Sequence, residues 1–153
     1  MTMILNDLLT KQNVFTKIAL KDGDKELPKE LKVKVMRIRM AYTKVKKAFE
    51  AEVQEFTEEL LTDEFKELNS KSERTPEEET RLRELSDTLN SEYQEFMIQK
   101  GLEEVQDVDD SLTEAEYADI LEVNAGSDVE INGNKIPAIE FLEVIHDLFV
   151  KED

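Results

Sequence analysis

The sequence predicts a mainly α fold, a long antiparallel helical hairpin followed by a small C-terminal α+β part. Apolar residues recur at steps of three and four through most of residues 4–100, which is the period of an amphipathic helix. Thr75-Pro76-Glu77-Glu78 is a strong helix start between two such stretches. Asn132-Gly133 stands between two short β-type segments and favours a tight hairpin turn. Together these patterns predict two long helices first and a hairpin-containing unit after them.

The length of 153 residues predicts a single domain over residues 1–153, with a helical hairpin region at 1–100 and an acidic α+β end at 101–153. Cys is absent, which excludes disulfides and thiolate chemistry and is typical of a reducing compartment. We find neither the basic flank and apolar run of a signal peptide nor a stretch long enough to span a bilayer. We therefore expect a cytoplasmic protein.

The net charge of −17 hides a strong division along the chain. Residues 1–48 hold 12 Lys or Arg against 5 Asp or Glu, a net of +7, whereas residues 49–153 hold 8 against 32, a net of −24. The division falls inside one predicted helix, so it does not indicate two fused domains. Such a field disfavours nonspecific nucleic-acid binding by most of the surface and favours a basic partner.

The helical region divides into three predicted helices. An amphipathic segment at residues 4–20 precedes a turn at residues 21–25, where Asp-Gly supplies the reversal. A long helix follows from Pro28 to about Leu68, and a second hairpin helix ends near Gly101. Residues 31–35 alternate as a strand does, but the heptad phase continues out of them and favours helix. The predicted helical seam, which contains a stutter, comprises Val35, Ile38, Tyr42, Val45, Phe49, Val53, Phe56, Leu60, Leu82, Leu85, Leu89, Tyr93 and Phe96.

The remaining elements are short. A strand is predicted around Val105 to Val108, and a short helix is capped either by Ser111 with Glu114 or by Thr113 with Glu116. The last predicted elements are a β-hairpin at residues 129–136 and a final helix at residues 137–150.

The sequence predicts no catalytic, cofactor-binding or metal site, and we expect a protein that is not an enzyme. Glu143 and His146 share the spacing of di-iron carboxylate ligands, but such sites need a second histidine and this chain has one. Asp107 to Ser111 begins like a calcium loop yet lacks the required Gly and Glu, and Asp22 to Glu26 fails in the same way. We expect both to be acidic turns or helix caps.

A run of basic residues is the strongest candidate for partner binding, and its members are Lys29, Lys32, Lys34, Arg37, Arg39, Lys44, Lys46 and Lys47. It is suited to a phosphate backbone or to an acidic protein patch. Alternatively these residues cover a solvated helix face, or they pair with acids that the hairpin brings close, namely Glu92, Glu95, Glu103 and Glu104. We favour charge pairing within the chain or in a homo-oligomer over nucleic acid, and we expect no membrane binding.

The arrangement resembles a family of short, uncharacterised proteins encoded by tailed bacteriophages. The resemblance rests on Leu27-Pro28 opening a Lys-rich helix that becomes Glu-rich, on the helix end Tyr93 to Ile98, on Val105 to Val108, and on a capped helix at Leu112 to Leu121. It covers most of residues 1–123 as a pattern, and the Asn-Gly hairpin and last helix depart from it. The family brings no catalytic residues.

The resemblance implies a phage-encoded accessory protein that acts in virion assembly or on a host factor, placing it in the host cytoplasm or in the virion. Our first hypothesis is a non-enzymatic interaction or assembly protein that works through helix-mediated contacts with a protein partner or with itself. The alternative is a DNA-mimic-like inhibitor, in which the acidic stretch from Glu50 to Asp110 imitates DNA phosphates and occupies a host DNA-binding protein. An ordinary solvated acidic surface would explain the same composition.

Overall fold

The computed structural model describes residues 2–151 and confirms a mainly α fold, so Met1, Glu152 and Asp153 of the predicted single domain lie outside the described residues. The helices are α1 (Leu5–Phe15), α2 (Lys29–Leu60), α3 (Asp63–Ser70), α4 (Pro76–Gly101), α5 (Glu114–Asn124) and α6 (Ala138–Phe149). The strands form antiparallel pairs: β1 (Thr2–Ile4) with β4 (Glu104–Gln106), β2 (Lys21–Asp22) with β3 (Lys25–Glu26), and β5 (Val129–Ile131) with β6 (Asn134–Ile136). No helix within residues 2–151 has the length and apolar character needed to cross a membrane.

The hydrophobic core is built by α1, the first half of α2, α5 and α6. Phe15 lies at its centre, with its ring 5.0 Å from that of Phe149 and 5.9 Å from that of Tyr42. None of the residues from 46 to 104 belongs to this core cluster within the described chain. The core is therefore assembled from two separate stretches of sequence, one before and one after the long helical excursion.

Residues 49–100 form an arm that projects from this core, and we call this segment the arm throughout. The second half of α2 runs beside α4, where the rings of Phe56 and Phe96 stack at 4.0 Å with an angle of 9° between their planes. Leu68 is the one buried apolar residue among those described between 43 and 111. The predicted seam is thus divided: Val35, Ile38 and Tyr42 join the core, Val45 packs against it, and the members from Phe49 onward are half-buried in the arm.

The long helix ends earlier than the sequence predicts. We expected it to reach Leu68, but α2 stops at Leu60 and a separate helix, α3, starts at Asp63. The break has a local cause, since the Thr62 hydroxyl accepts a hydrogen bond from the Phe65 amide at 3.2 Å and caps α3. The stretch at residues 31–40 is helical throughout.

The first predicted helix is also shorter than expected. Residues 4–20 were predicted as one amphipathic segment, yet the helix covers Leu5–Phe15 and Ile4 lies in strand β1, where Met3 pairs with Val105. After the helix, the buried Asn124 side chain holds Ala19 as a neighbouring strand would: it accepts from the Ala19 amide at 2.8 Å and donates to the Ala19 carbonyl at 3.2 Å.

The predicted turn and cap signals are confirmed. Thr75 and Glu78 form the capping box that begins α4, and of the two alternatives for α5 the structure contains the box of Thr113 with Glu116. Asn132 and Gly133 have φ angles of 53° and 80°, as the predicted hairpin turn requires. Residues of α5, α6 and the β5–β6 hairpin pack on the core.

Candidate interaction surfaces

Half of the predicted basic face is used inside the molecule. Lys32 pairs with Glu26, Lys34 with Glu116 at 2.7 Å, and Lys46 with Glu50 at 3.9 Å. Arg39 donates to the carbonyl oxygen of Ile18, and burial lowers the pKa of its guanidinium. Three of these cations connect α2 to other elements, whereas the pair of Lys46 with Glu50 lies within α2. None of the acidic partners is among Glu92, Glu95, Glu103 and Glu104, the residues that we expected.

The ion pair of Lys34 with Glu116 is the best defined of these contacts. Burial raises the pKa of the Glu116 carboxyl. Hydrogen bonds from Lys34 and from the Thr113 amide and hydroxyl lower this pKa by a larger amount, so the net shift is downward. Because Glu116 also completes the capping box of α5, this one side chain fixes both the start of α5 and its position beside α2.

The other half of the basic face lies on the outward side of α2, which we call the α2 ridge. Its apolar members are Val33, Met36 and Met40, which are 59 %, 51 % and 70 % exposed. Its cations are Lys29, Arg37, Lys44 and Lys47, which are exposed and form no ion pair within residues 2–151. At about 100° per residue, all seven residues fall within an arc of about 100° around α2, so they share one stripe of the helix.

The α2 ridge combines exposed apolar side chains with exposed cations that form no ion pair within the described residues. A patch of three large apolar side chains on one helix face is a marker of a contact surface, and Met adapts its shape to irregular partners. The four surrounding cations suit carboxylates on the partner. Sequence reasoning identified the four cations but missed Val33, Met36 and Met40, although their common offset from the seam was a usable signal.

The arm carries an acidic surface, with 16 acidic residues against 6 basic ones, a net of −10. Part of this charge is paired: Arg81 contacts Glu64 at 2.7 Å, and this bond lowers the pKa of the Glu64 carboxyl. Lys100, near the base of the arm, pairs with both Glu52 and Glu103, which raise the pKa of its ammonium. The remaining carboxylates leave the arm strongly negative.

One stripe of α4 lies on the side of the arm away from α2, and we call it the α4 ridge. This stripe is acidic in its N-terminal part and apolar at its C-terminal end. Its apolar members are Ile98 and Leu102, which are 64 % and 59 % exposed. The rest of the ridge consists of Glu84, Asp87, Ser91 and Glu95, all exposed. The exposed apolar residues again lie four positions apart, the same spacing as Met36 and Met40.

A buried polar cluster joins α1, α2 and the segment before α5. Asp110 is 3 % exposed; the Lys11 ammonium lies 2.8 Å from its Oδ2 atom, and the Tyr42 hydroxyl donates to the same oxygen. Burial and then the hydrogen bond to Asp110 raise the pKa of the Tyr42 hydroxyl. Lys11 and Tyr42 both bind the same oxygen of Asp110, and the Lys11 ammonium also lies 3.8 Å from Asp107, so the cluster connects the three elements.

His146 contacts Glu114 of α5 at 2.9 Å, instead of the Glu143 that its sequence motif suggested, and its ring lies 4.9 Å from that of Tyr117. Among residues 2–151 no three His, Cys, Asp or Glu side chains are grouped so that they could hold a metal ion. These residues instead connect α5 to α6.

The fold defines this chain as a mainly α protein with a compact core and a projecting arm formed by the second half of α2, α3 and α4. No family model, curated protein or solved structure matches it. Its own surfaces are therefore the basis for any assignment of function.

Proposed function

We propose that this protein is a non-enzymatic interaction or assembly protein, encoded by a phage, that binds an acidic protein surface through the α2 ridge. The observation that carries the proposal is the combination of three exposed apolar side chains with four cations that form no ion pair within the described chain. The phage origin is supported by the resemblance in residues 1–123.

Apolar packing and charge both favour partner binding at the α2 ridge. Packing Met36, Met40 and Val33 against a partner removes apolar area from water, which supplies most of the affinity at about 25 cal/mol per Å². The four cations add orientation and a faster association rate with an acidic partner. The other basic residues of α2 are already held by internal bonds, so the outward stripe is where a partner finds free charge.

A site-specific photo-crosslink tests the proposal. A photoreactive amino acid at position 40 is compared with one at position 139, because Met40 and Ile139 are 70 % and 71 % exposed and lie on different faces. Covalent adducts are then sought in the purified protein and in cells of its native host. We expect adducts at position 40 and not at position 139. Equal adduct yields at the two positions would overturn the α2 ridge as the binding surface.

A second candidate function is supported by the arm. Its net charge of −10 is spread over the second half of α2, α3 and α4, in the manner of a DNA-mimicking inhibitor that occupies a host DNA-binding protein. Here the acidic arm, and not the α2 ridge, makes the contact.

The two candidates respond differently to one experiment. A pull-down from bacterial lysate is repeated with added DNA as competitor and with the variants Asp87→Lys and Met40→Glu. If the arm acts as a DNA mimic, the pull-down recovers a basic, DNA-binding protein that added DNA displaces. Asp87→Lys then weakens the binding of this protein, and Met40→Glu leaves it unchanged. Recovery of no basic protein at low salt eliminates it.

A further inference from the structure

We propose that copies of this chain associate head to tail, with the α4 ridge of one copy packed antiparallel on the α2 ridge of the next. The inference rests on the proposed function, and it identifies the acidic partner as a second copy of the chain. It is carried by the match between two outward faces of the same molecule.

The two ridges match in chemistry. In the antiparallel register described below, residues 36–47 of one copy overlap residues 91–102 of the next, which is 11 residue steps, or about 17 Å of helix. One carries four cations and the other three carboxylates. Each also contains an exposed apolar pair separated by four residues, which places both members on the same face one turn apart.

An antiparallel alignment satisfies both kinds of contact together. When Met40 faces Ile98, Met36 faces Leu102, so both apolar pairs become buried. In the same register Lys44 lies next to Glu95, and Lys47 lies within about one helical turn of both Asp87 and Glu95. Antiparallel packing also opposes the two helix dipoles favourably.

The parallel alignment is poorer. With Met40 again on Ile98, Arg37 faces Glu95 and Lys29 faces Asp87, so the charges are paired. However, Met36 then lies against the polar Gln94, and Leu102 lies against Lys44. One apolar pair is lost, and with it about half of the apolar area that drives association.

The two ridges face in opposite directions, which determines the kind of assembly. Phe56 and Phe96 mark the inner sides of α2 and α4, because their rings stack on each other. At about 100° per residue, Met40 lies about 160° around α2 from Phe56, and Ile98 lies about 160° around α4 from Phe96. Two different patches on opposite sides give a head-to-tail contact, which produces a ring or an open chain and not a two-fold dimer.

Analytical ultracentrifugation of the purified full chain tests this association. We expect the average mass to rise with concentration, and the association to weaken steadily from about 0.01 M to about 0.5 M NaCl because exposed charges are screened. Met40→Glu places a carboxylate opposite Ile98 and weakens association at least about tenfold. Ile139→Glu changes an equally exposed residue away from both ridges and leaves association unchanged.

A charge exchange identifies the second face. Lys44→Glu and Glu95→Lys each weaken association by about tenfold, since each places like charges together. The double variant carrying both changes restores it. The rescue has to occur between copies, because Lys44 and Glu95 of one copy are too far apart to pair. Glu95 is next to Phe96, which stacks on Phe56 of α2, and Lys44 lies 12 residues, or about 18 Å, along α2 from Phe56.

The outcomes separate this inference from the proposed function. A purified chain that stays monomeric at low salt and at its highest soluble concentration overturns self-association. If position 40 still forms adducts with another protein in cells, the proposed function stands and the second copy is the wrong partner. If Met40→Glu and Ile139→Glu weaken association equally, the pairing of the two ridges is wrong. Association that resists both single charge changes overturns the antiparallel register.

Discussion

Individual side chains hold the core and its surroundings in register through contacts that span the whole sequence. Lys11, Tyr42 and Asp110 meet in one buried cluster although they are far apart in the chain. The sequence indicated that Tyr42 belongs to a buried seam, but nothing local to Asp110 indicates that its carboxylate is enclosed. A buried charge is tolerated here because its partners arrive from two other elements.

Removing the Tyr42 hydroxyl therefore has a measurable cost. We expect Tyr42→Phe to reduce the free energy of unfolding by about 1–3 kcal/mol, because Asp110 loses a hydrogen-bond donor while remaining buried. Urea denaturation measures the change. Tyr93→Phe, on the half-buried seam of the arm, is the control and is expected to cost less than about 0.5 kcal/mol. Equal effects of the two variants would mean that the cluster contributes no specific stability.

The ion pair of Lys34 with Glu116 predicts a pH dependence. The folded pKa of Glu116 lies below its ordinary value of 4.5, so its contribution is present above that pH and is lost as pH falls through the folded pKa. Glu116→Gln keeps a capping side chain and removes the charge. At pH near 7 we expect it to be less stable by about 0.5–1 kcal/mol, with the difference vanishing in acid.

Stability curves against pH, measured by urea denaturation, check this prediction. Glu122→Gln on the same helix is the matched control, since Glu122 is exposed and forms no ion pair within the described residues. A constant difference between Glu116→Gln and the parent at all pH values would assign the effect to the cap alone.

At the level of elements, local signals were sufficient where the structure is local. The capping box at Thr75, the Asn132-Gly133 turn and the start of α6 follow from residues adjacent in sequence. Strand β1 did not, because its partner lies about one hundred residues away and its last residue, Ile4, was assigned to the first predicted helix. The break after Leu60 was missed because Thr62 caps α3 without the Pro that marked α4.

The arm and the core differ in how they are packed, and this predicts different responses to truncation. Phe56→Ala removes one of two stacked, half-buried rings, so we expect a cost of about 2 kcal/mol, roughly half that of a fully buried Phe. Hydrogen exchange of amides in residues 49–100 should accelerate, while exchange in the core is unchanged.

Phe149→Ala provides the contrast for this measurement. Phe149 is fully buried against Phe15, so its truncation is expected to cost about 3–5 kcal/mol and to accelerate exchange in all elements of the core. If Phe56→Ala accelerated exchange in α5 and α6 to the same degree, the arm and the core would be one cooperative unit.

For the whole molecule, the charge division along the sequence does not separate the core from the arm. Eight of the twelve cations in residues 1–48 lie on the part of α2 that covers the core, but the acidic residues are divided between the arm, with a net charge of −10, and residues 101–153, with a net charge of −14, whose helices α5 and α6 pack on the core. The sequence located this change within one helix, and the structure adds that the helix leaves the core at the same place. The sequence predicted charge pairing within the chain but named the wrong acids, because the partners of Lys32, Lys34 and Arg39 come from β3, α5 and the segment after α1.

The core is expected to fold without most of the arm. Replacing residues 50–99 by a flexible linker of about five residues bridges the helix spacing of about 10 Å. We expect a cooperative urea transition with a lower m-value, because less surface is exposed on unfolding, and a lower helix content by circular dichroism. Loss of the cooperative transition would show that the core depends on the arm.

The base of the arm, where α2 leaves the core and α4 returns to it, also has a consequence for the order of folding. The two stretches that build the core are separated by the 52 residues of the arm. Closing a flexible loop of that length costs about 3.5 kcal/mol in chain entropy before any core contact repays it. Once α2 and α4 pair, the two ends of the arm, at residues 49 and 100, already lie side by side. The neighbouring Gly101 packs so closely against α1 that a Cβ there would overlap Asn6. Early pairing of the arm thus shortens the search that brings α5 and α6 onto α1.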